Sequence, residues 1–316
     1  MTYPQINILV PLHNEKEVFD SLIRRLNLLM DSTALTISII LVDDGSTDST
    51  TDMMKELSLN DDKYSSVILS RNFGHQLALT AGMKYVNATE AVMIIDGDLQ
   101  DPPELLGKLY SYYKDGYDVV YAVRQNRKEG FLKKFAYSFF YRLLKKISYI
   151  DIPIDSGDFS LVSRRVIDEL NRMPEESRYI RGMRSWIGFK QTGVPYEREK
   201  RSAGESKYPL NKLISLAYTG IFNFSEYPVK LMVKSGMYVI ISSFMYLLYT
   251  LIQKLFFNSV PGGFTALLAV ISLFGGMQLI AIGMIGEYII RIFFQVKNRP
   301  LYIVKEVIEE KIVKNG

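Results

Sequence analysis

The chain has 316 residues, and its 38 basic and 34 acidic side chains leave a formal net charge of +4. This length is enough for one α/β domain and an additional segment. The absence of cysteine excludes disulfides and thiolate zinc sites and is typical of a reducing compartment, and a count of two histidines excludes a histidine-rich metal centre.

Strand and helix patterns alternate along the first part of the chain. Apolar runs rich in β-branched residues predict strands at residues 6–10, 37–42, 66–69, 91–95 and 118–122. Helical stretches lie between them, at residues 17–30, 49–57, 75–85 and 103–113. The alternation predicts an α/β fold with a doubly wound, mainly parallel sheet, in which functional groups gather beyond the carboxyl ends of the strands.

Polar clusters follow the first four predicted strands, at residues 11–15, 43–48 and 70–74 and at the pair Asp96 and Asp98. Because the carboxyl ends of parallel strands share one edge of a sheet, we expect the four clusters to lie together. Asp43 is positioned to accept hydrogen bonds from a base or ribose, and Arg71 to neutralise phosphate oxygens through its planar guanidinium group. Each cluster alone also fits a turn or a helix cap, and their common position favours a binding site.

Asp96 and Asp98 come directly after the apolar run 91–95. Two carboxylates this close at the end of a buried strand are costly unless a positive charge lies between them. Their hard oxygen ligands suit Mg²⁺ or Mn²⁺, ions that complete their coordination with water and substrate phosphates. An Asx-turn leading into a helix opened by Pro102 and Pro103 is the alternative interpretation.

Two nucleotide-binding signatures are absent from the sequence, the G-x-G-x-x-G fingerprint and the G-x-x-x-x-G-K-[ST] loop. The sequence therefore supports neither a dinucleotide-binding Rossmann site nor a P-loop. Hydride transfer and ATP-driven phosphoryl transfer are disfavoured for the same reason.

Two long stretches near the C-terminus contain no charged side chain, residues 235–253 and 255–286. Each can supply the roughly 20 apolar residues that span a bilayer, so the pair predicts a transmembrane hairpin. Basic residues flank both outer ends and no signal sequence is recognised, so we expect both termini in the cytoplasm. A basic, aromatic stretch at 124–146 favours an interfacial helix on the lipid bilayer over nucleic-acid binding, with a solvated helix face as the alternative.

The ordered set of motifs resembles the inverting family 2 glycosyltransferases of GT-A fold. More narrowly, it resembles their polyprenyl-phosphate branch, which includes dolichol-phosphate-mannose-synthase-like enzymes and bacterial bactoprenol glucosyltransferases. The matching segments are residues 10–15, 42–48, 71–76, 96–103, 156–159 and 201–208, followed by the predicted hairpin. The resemblance implies inverting transfer of a sugar, glucose or a relative, from a nucleotide-sugar donor to undecaprenyl phosphate at the bacterial plasma membrane, for cell-envelope glycosylation. It favours a UDP-linked donor and leaves a GDP-linked donor open.

The resemblance also implies roles for residues of these segments. The residues implied in binding the nucleotide sugar are Pro11, Asn14, Glu15, Asp43, Asp44, Arg71 and Asp96. Asp98, together with Asp96, would hold the Mg²⁺ or Mn²⁺ that bridges the diphosphate, and Gln100 would reach the donor sugar or the acceptor phosphate. Asp158 would supply a carboxylate near the acceptor, and Arg201 and Lys207 would supply cations for its phosphate.

The chemistry of the acceptor decides the role of Asp158. A sugar hydroxyl would require a general base, for which Asp158 is the obvious candidate. A lipid phosphate, with a second pKa of about 6, is already largely an anionic nucleophile at cytoplasmic pH. Asp158 would then orient the acceptor, and the sequence leaves both roles open.

Two other functions compete with this interpretation. A processive polysaccharide synthase is disfavoured because such enzymes usually carry a Q-x-x-R-W motif. Here the only tryptophan, Trp186, follows Arg184-Ser185, with Arg181 where glutamine would be expected. The third interpretation is a catalytically inactive membrane scaffold that binds lipid phosphate, and the presence of both Asp96 and Asp98 argues against it.

The patterns divide the chain into three predicted regions. Residues 1–225 form a cytoplasmic glycosyltransferase domain with interfacial helices near 129–149 and 209–225. Residues 226–293 form the transmembrane hairpin, and residues 294–316 form a cytoplasmic tail. Gly276 and Gly283 share one face of the second apolar stretch, so close packing within one chain or between two copies of a homo-oligomer is left open.

Overall fold

The computed structural model describes residues 3–125, 156–197, 227–257 and 263–315. These residues belong to two compact units. The first unit contains the described residues up to 197 together with those from Pro300 onward, and the second contains the remainder. The predicted interfacial helices near 129–149 and 209–225 lie outside the described residues, as do Arg201 and Lys207.

A nine-stranded sheet forms the centre of the first unit. Its strands are β1 Ile6–Leu12, β2 Ile37–Asp43, β3 Tyr64–Leu69, β4 Ala91–Ile94, β5 Val119–Gln125, β6 Ser156–Ser163, β7 Gln191–Glu197, β8 Val304–Glu309 and β9 Ile312–Asn315. They lie side by side in the order β7-β5-β6-β4-β1-β2-β3-β8-β9. The five strands predicted from the sequence are confirmed as β1 to β5, with ends that differ by a few residues.

The strand directions place the carboxyl ends of seven strands, β1 to β5, β7 and β9, at one edge of the sheet. β3, β2, β1 and β4 are neighbours and run parallel. β6 runs antiparallel between β4 and β5, so β5 and its parallel neighbour β7 point the same way as β4. We call this edge, which also holds the amino end of β6, the polar rim. The antiparallel β6 inside the sheet, and the hairpin of β8 and β9 that pairs with β3, make the sheet a mixed one.

Helices pack on both faces of the sheet. They are α1 Lys16–Ser32, α2 Thr50–Asn60, α3 His75–Met83, α4 Leu106–Lys114, α5 Arg164–Arg172 and α6 Ile180–Trp186, with a 3₁₀ turn at Pro103–Leu105. On one face, Ile6 and Val10 of β1 join the apolar core with Leu22 of α1. On the other, a Cβ atom at Gly82 of α3 would lie 2.2 Å from Leu9 Cδ1, so α3 packs directly on β1. Burial of this apolar surface, worth roughly 25 cal/mol per Å², gives the rim loops a rigid base.

The second unit contains two long helices, α7 Tyr227–Phe257 and α8 Phe264–Lys297. Within them, Val229–Phe256 and Leu273–Lys297 are long and apolar enough to cross a membrane. Many of their large apolar side chains are exposed, and those of Phe244 and Ile280 are more than half exposed. Since so long an apolar surface is strongly unfavourable in water, lipid or another protein surface is required to cover it.

Candidate active site

Asp43, the last residue of β2, turns its carboxylate into its own loop. Oδ1 accepts a hydrogen bond from the backbone N–H of Ser46 at 3.0 Å, and Oδ2 accepts one from the Thr51 hydroxyl at 2.7 Å. The side chain is almost fully buried. Two such bonds to a carboxylate, each worth roughly 1.5–3 kcal/mol, fix the loop between β2 and α2 in one conformation.

The loop after β1 is attached to the loop after β2. Asn14 Oδ1 accepts a hydrogen bond from the Thr47 N–H at 2.8 Å, and the Asn14 N–H donates to the Ser46 hydroxyl at 3.0 Å. The Glu15 N–H donates to the Thr50 hydroxyl at 3.0 Å. Asn14 has a φ of +54°, a left-handed conformation that asparagine adopts more readily than most residues. These bonds bring the two loops predicted to hold the nucleotide into one surface.

Asp44 joins the loop after β2 to the loop after β3. Its Oδ1 accepts a hydrogen bond from the Phe73 N–H at 2.7 Å, and its Oδ2 accepts one from the Gly74 N–H at 2.9 Å. Burial raises the pKa of Asp44, and the two backbone donors act in the opposite direction. Both carboxylate oxygens therefore contact the protein itself, and Asp44, predicted as a donor-binding residue, holds the neighbouring loop in place.

Gly45 and Arg71 lie where these two loops touch. A Cβ atom at Gly45 would lie 2.3 Å from the carbonyl carbon of Arg71 and 2.4 Å from the backbone nitrogen of Asn72. Because φ at Gly45 is also +64°, only glycine fits there without strain. The Arg71 guanidinium lies 4.0 Å from the ring centroid of Phe73 and donates to the Asn72 carbonyl at 3.0 Å. Arg71 is exposed, so its planar group can reach an anionic ligand at the polar rim.

Asp96 and Asp98 follow β4 in a tight turn. Asp98 Oδ1 accepts a hydrogen bond from the backbone N–H of Gln100 at 3.2 Å, which is the Asx-turn that the sequence offers as the alternative to a metal site. A Cβ atom at Gly97 would lie 2.3 Å from Leu12 Cδ2, so the turn packs directly on the end of β1. An ionised carboxylate offers about four acceptor positions, so the turn is compatible with a cation bound to the same side chain.

The donor chemistry of this pair fits a Mg²⁺ or Mn²⁺ ion that also binds a diphosphate. Among the described residues, no group of three His, Cys, Asp or Glu side chains could hold a metal ion alone. Burial raises the pKa of Asp96, as do the neighbouring carboxylates, although the charge of His75 lowers it. Those carboxylates belong to Asp98, Asp101 and Asp158. This concentration of negative charge favours a divalent cation, and two carboxylates are enough for an ion that keeps water and phosphate ligands.

Asp158 lies on β6 at the same rim, surrounded by hydrogen-bond donors. Arg181 donates to it in a bidentate arrangement, with Nε 2.9 Å from Oδ1 and Nη2 3.0 Å from Oδ2. The Gln76 amide donates to Oδ2 at 3.1 Å, and His75 Nε2 lies 3.4 Å from the same atom. Asp158 is only 7% exposed, and burial raises the pKa of a carboxyl group. Arg181 and His75 outweigh that effect and hold the pKa of Asp158 well below its usual range.

His75 lies between two carboxylates of the polar rim, those of Asp96 and Asp158. Its Nε2 atom lies 3.4 Å from Asp158 Oδ2 and 3.6 Å from Asp96 Oδ1. Burial lowers the pKa of the imidazole, but the two carboxylates raise it more, to about 9. At neutral pH, His75 is therefore an imidazolium between the carboxylate after β4 and the one on β6.

The sequence patterns predict no role for His75, Gln76 or Arg181. His75 and Gln76 open α3 directly after a polar cluster at the end of β3, and this position at the rim is the signal that indicates them. Arg181 carries no comparable signal. It is 23 positions from Asp158 in the sequence, and only tertiary packing brings the two side chains together.

The predicted site residues fall into two groups on the polar rim. Those at the ends of β1, β2 and β3 are Pro11, Asn14, Glu15, Asp43, Asp44 and Arg71. Those at the adjoining ends of β4 and β6 are Asp96, Asp98, Gln100 and Asp158. In the first group, hydrogen bonds and close contacts join the loops after β1, β2 and β3. In the second group, His75 lies between Asp96 and Asp158. Their contacts with ligands remain predictions.

Comparison with known proteins tests the predicted family. Residues 7–170 match the family described as glycosyl transferase family 2. The chain is 46% identical to the uncharacterized glycosyltransferase YkcC of Bacillus subtilis (strain 168), over 96% of this chain and 94% of that protein. It is 37% identical to the SfII prophage-derived bactoprenol glucosyl transferase of Shigella flexneri, over 96% of this chain and 98% of the relative. It is 35% identical to the prophage bactoprenol glucosyl transferase homolog of Escherichia coli (strain K12), over 96% and 99% of the two chains.

These similarities extend over almost the whole chain. They confirm the predicted family, and the sheet order with its rim of polar loops confirms an α/β fold of the GT-A type. The chain belongs to glycosyl transferase family 2.

Proposed function

We propose that this protein transfers a sugar from a nucleotide donor to undecaprenyl phosphate, with inversion at the anomeric carbon and with the help of a divalent metal ion. UDP is the proposed nucleotide, and glucose or a relative is the proposed sugar. The observation that carries the proposal is the set of donors around Asp158, which suits an acceptor that is already an anion. One relative named as a bactoprenol glucosyl transferase and another named as a homolog of such an enzyme support the same acceptor.

The donor would lie on the surface formed by the loops after β1, β2 and β3. Asn14 and Glu15 would contact the base and ribose, with the buried Asp43 fixing the loop behind them. Asp96 and Asp98 would hold Mg²⁺ or Mn²⁺, which when bound supplies Lewis-acid stabilisation of the diphosphate leaving group. Arg71 would add a second positive charge from the loop after β3.

The acceptor side requires a nucleophile, and its chemistry follows from the state of Asp158. A sugar hydroxyl needs a general base whose pKa is near the working pH. Asp158 is a poor proton acceptor because Arg181 and its other donors stabilise the ionised form. A phosphate monoester, with a second pKa of about 6, needs no base at neutral pH. We therefore assign Asp158 a positioning role, in which it keeps Arg181 and Gln76 oriented at the site.

The two apolar helices would keep the enzyme at the membrane that contains its acceptor. Two spans, Val229–Phe256 and Leu273–Lys297, would anchor the enzyme in the bacterial plasma membrane, where a polyprenyl phosphate is found. Basic residues at the outer ends of the hairpin favour a cytoplasmic location for residues 1–225 and for the C-terminal tail. They are Lys230 and Lys234 near its start and Arg291, Lys297 and Arg299 near its end. Arg201 and Lys207, which precede the first span in the sequence, stay proposed as cations for the acceptor phosphate.

A lipid-transfer assay tests the proposal. The purified full chain in detergent is incubated with undecaprenyl phosphate, Mn²⁺ and a panel of labelled nucleotide sugars, and the product is counted in the lipid phase. One sugar per lipid is expected, with the largest yield from a UDP-sugar, and undecaprenol without its phosphate should accept none. Failure with every donor would contradict the enzyme function, and products with many sugars per lipid would favour a processive synthase.

A further inference from the structure

The hydroxyl group of Tyr196 joins three segments of the polar rim. It donates a hydrogen bond to Asp101 Oδ1 at 2.5 Å and accepts one from Arg124 Nε at 3.3 Å. Tyr196 lies near the end of β7, and Arg124 lies near the end of β5. Asp101 ends the segment 96–101, the carboxylate loop, which carries the two proposed metal ligands. One hydroxyl therefore connects that loop to two strands on the far side of the sheet from the nucleotide loops.

The ring of Tyr196 is held in place independently of its hydroxyl group. The side chain is almost fully buried and packs edge-on against Phe159, with ring centroids 5.4 Å apart and planes at 77°. Phe159 directly follows Asp158 on β6. Because this packing depends on the ring, removing the hydroxyl removes the bridge while the ring stays in place.

The carboxylate of Asp101 is one end of this bridge. Asp101 is fully buried, three residues after Asp98. A buried carboxylate stays in one position only when donors and positive charges surround it. Tyr196 supplies a donor, and the charge of Arg124 interacts with Asp101 across the same hydroxyl. The carboxylate loop is thus anchored at the end opposite to β4.

We infer that Tyr196 is a positioning residue, whose hydroxyl group fixes the carboxylate loop relative to β5 and β7. The inference rests on the proposed function, because the loop acts through the metal and the diphosphate that Asp96 and Asp98 would hold. Without the bridge the loop shifts, which weakens binding of the nucleotide with its metal and slows transfer. The KM for the acceptor changes little, since the loop binds the donor side.

The Tyr196→Phe variant of the full chain tests the inference, with Tyr110→Phe as its matched control. The Tyr110 hydroxyl donates to Glu90 Oε2 at 2.8 Å, and Glu90 precedes β4 at the edge opposite to the polar rim. Both variants lose one tyrosine–carboxylate hydrogen bond. If the bond at Tyr196 contributes only to stability, both variants should unfold at a lower temperature and bind ligand as the wild type does. Binding of UDP in the presence of Mn²⁺ is measured by calorimetry, and transfer is measured separately.

Tyr196→Phe should bind UDP with Mn²⁺ about tenfold more weakly than the wild type and show a kcat about tenfold lower, the size expected for one hydrogen bond to a charged group. Its KM for undecaprenyl phosphate should stay within about twofold of the wild-type value. Tyr110→Phe should match the wild type in all three quantities. Equal binding and equal kcat in Tyr196→Phe and Tyr110→Phe would overturn the inference.

Asp101→Asn removes the charge of the carboxylate and keeps an oxygen that can accept the hydrogen bond from Tyr196. It is the second variant to measure, and it is used alone if Tyr196→Phe does not fold. An amide oxygen still accepts the phenol proton, so UDP–Mn²⁺ affinity should stay within about threefold of the wild type. If Asp101→Asn loses as much UDP–Mn²⁺ affinity as Asp98→Asn does, Asp101 is itself a metal ligand and the inference is overturned. Because calorimetry with UDP needs no acceptor, a wild-type protein that binds UDP but transfers no sugar would contradict the proposed function and leave the role of Tyr196 testable.

Discussion

Arg181 donates to both carboxylate oxygens of Asp158, from Nε to Oδ1 at 2.9 Å and from Nη2 to Oδ2 at 3.0 Å. The two side chains come from α6 and β6, so tertiary packing alone creates the pair. Asp158 is buried, whereas the Arg181 side chain is 22% exposed. The pair keeps a fixed anion behind a partly accessible cation, an arrangement that favours an anionic acceptor.

Arg181→Lys keeps the positive charge and removes the bidentate geometry. We expect kcat to fall roughly 10- to 100-fold, because a displacement of about 1 Å at a reacting site has an effect of that size. The matched control is Arg172→Lys, since Arg172 pairs with Glu169 at 2.7 Å on the exposed surface of α5. The rate of sugar transfer is measured for both purified variants. Equal rates would contradict the role of Arg181.

The pH dependence of transfer distinguishes a positioning role for Asp158 from a general base. The pKa of Asp158 is held well below its usual range, so the group stays ionised across the neutral range and releases no proton there. The acceptor phosphate takes its second charge at a pH of about 6, so kcat/KM for undecaprenyl phosphate should rise through that value. Asp158→Asn should lower the rate and keep this acid limb, and disappearance of the limb would identify Asp158 as the base.

Gly45→Ala is expected to disrupt the contact between the loops after β2 and β3. The new methyl group would lie 2.3 Å from the carbonyl carbon of Arg71, at a φ of +64°. We expect the free energy of unfolding to fall by about 3 kcal/mol, measured by denaturant unfolding in detergent. Gly107→Ala is the control, because a Cβ atom there meets nothing within 4 Å in the helix α4. An equal response of the two variants would show that the close contact at Gly45 does not matter.

The sequence predicts one part of the site better than the other for a physical reason. Asp43 and Asp96 follow apolar strands directly, so a rule about the ends of parallel strands locates both. Arg181 and Tyr196 lie on α6 and β7, two elements that the sequence patterns do not predict, and their partners are distant in the sequence. The same holds for β8, where Val307 pairs with Val67 of β3. Contacts of this kind depend on tertiary packing and leave no local pattern.

Metal dependence is expected to act through the carboxylate loop. Chelation with EDTA should abolish transfer, and added Mn²⁺ or Mg²⁺ should restore it. Asp98→Asn should bind UDP as weakly in Mn²⁺ as the wild type binds it in EDTA, because the substitution removes a proposed metal ligand. Asp52→Asn, at an exposed position in the first turn of α2, should keep the wild-type response to Mn²⁺. Full activity after chelation would exclude the metal from the mechanism.

The absence of cysteine makes the membrane orientation directly testable, since a single introduced thiol is the only reactive one. We expect Asn258→Cys, in the connection between α7 and α8, to react with a membrane-impermeant maleimide on intact spheroplasts. Asn315→Cys, in the exposed strand β9, should react only after permeabilisation. This result is expected because basic residues lie near the start of α7 and near the end of α8, and such residues stay on the cytoplasmic side. Labelling of Asn315→Cys but not of Asn258→Cys in intact spheroplasts would show the opposite orientation. Protection of both thiols in intact spheroplasts would mean that the helices do not cross the bilayer, and an interfacial anchor would then bring the site to its lipid acceptor.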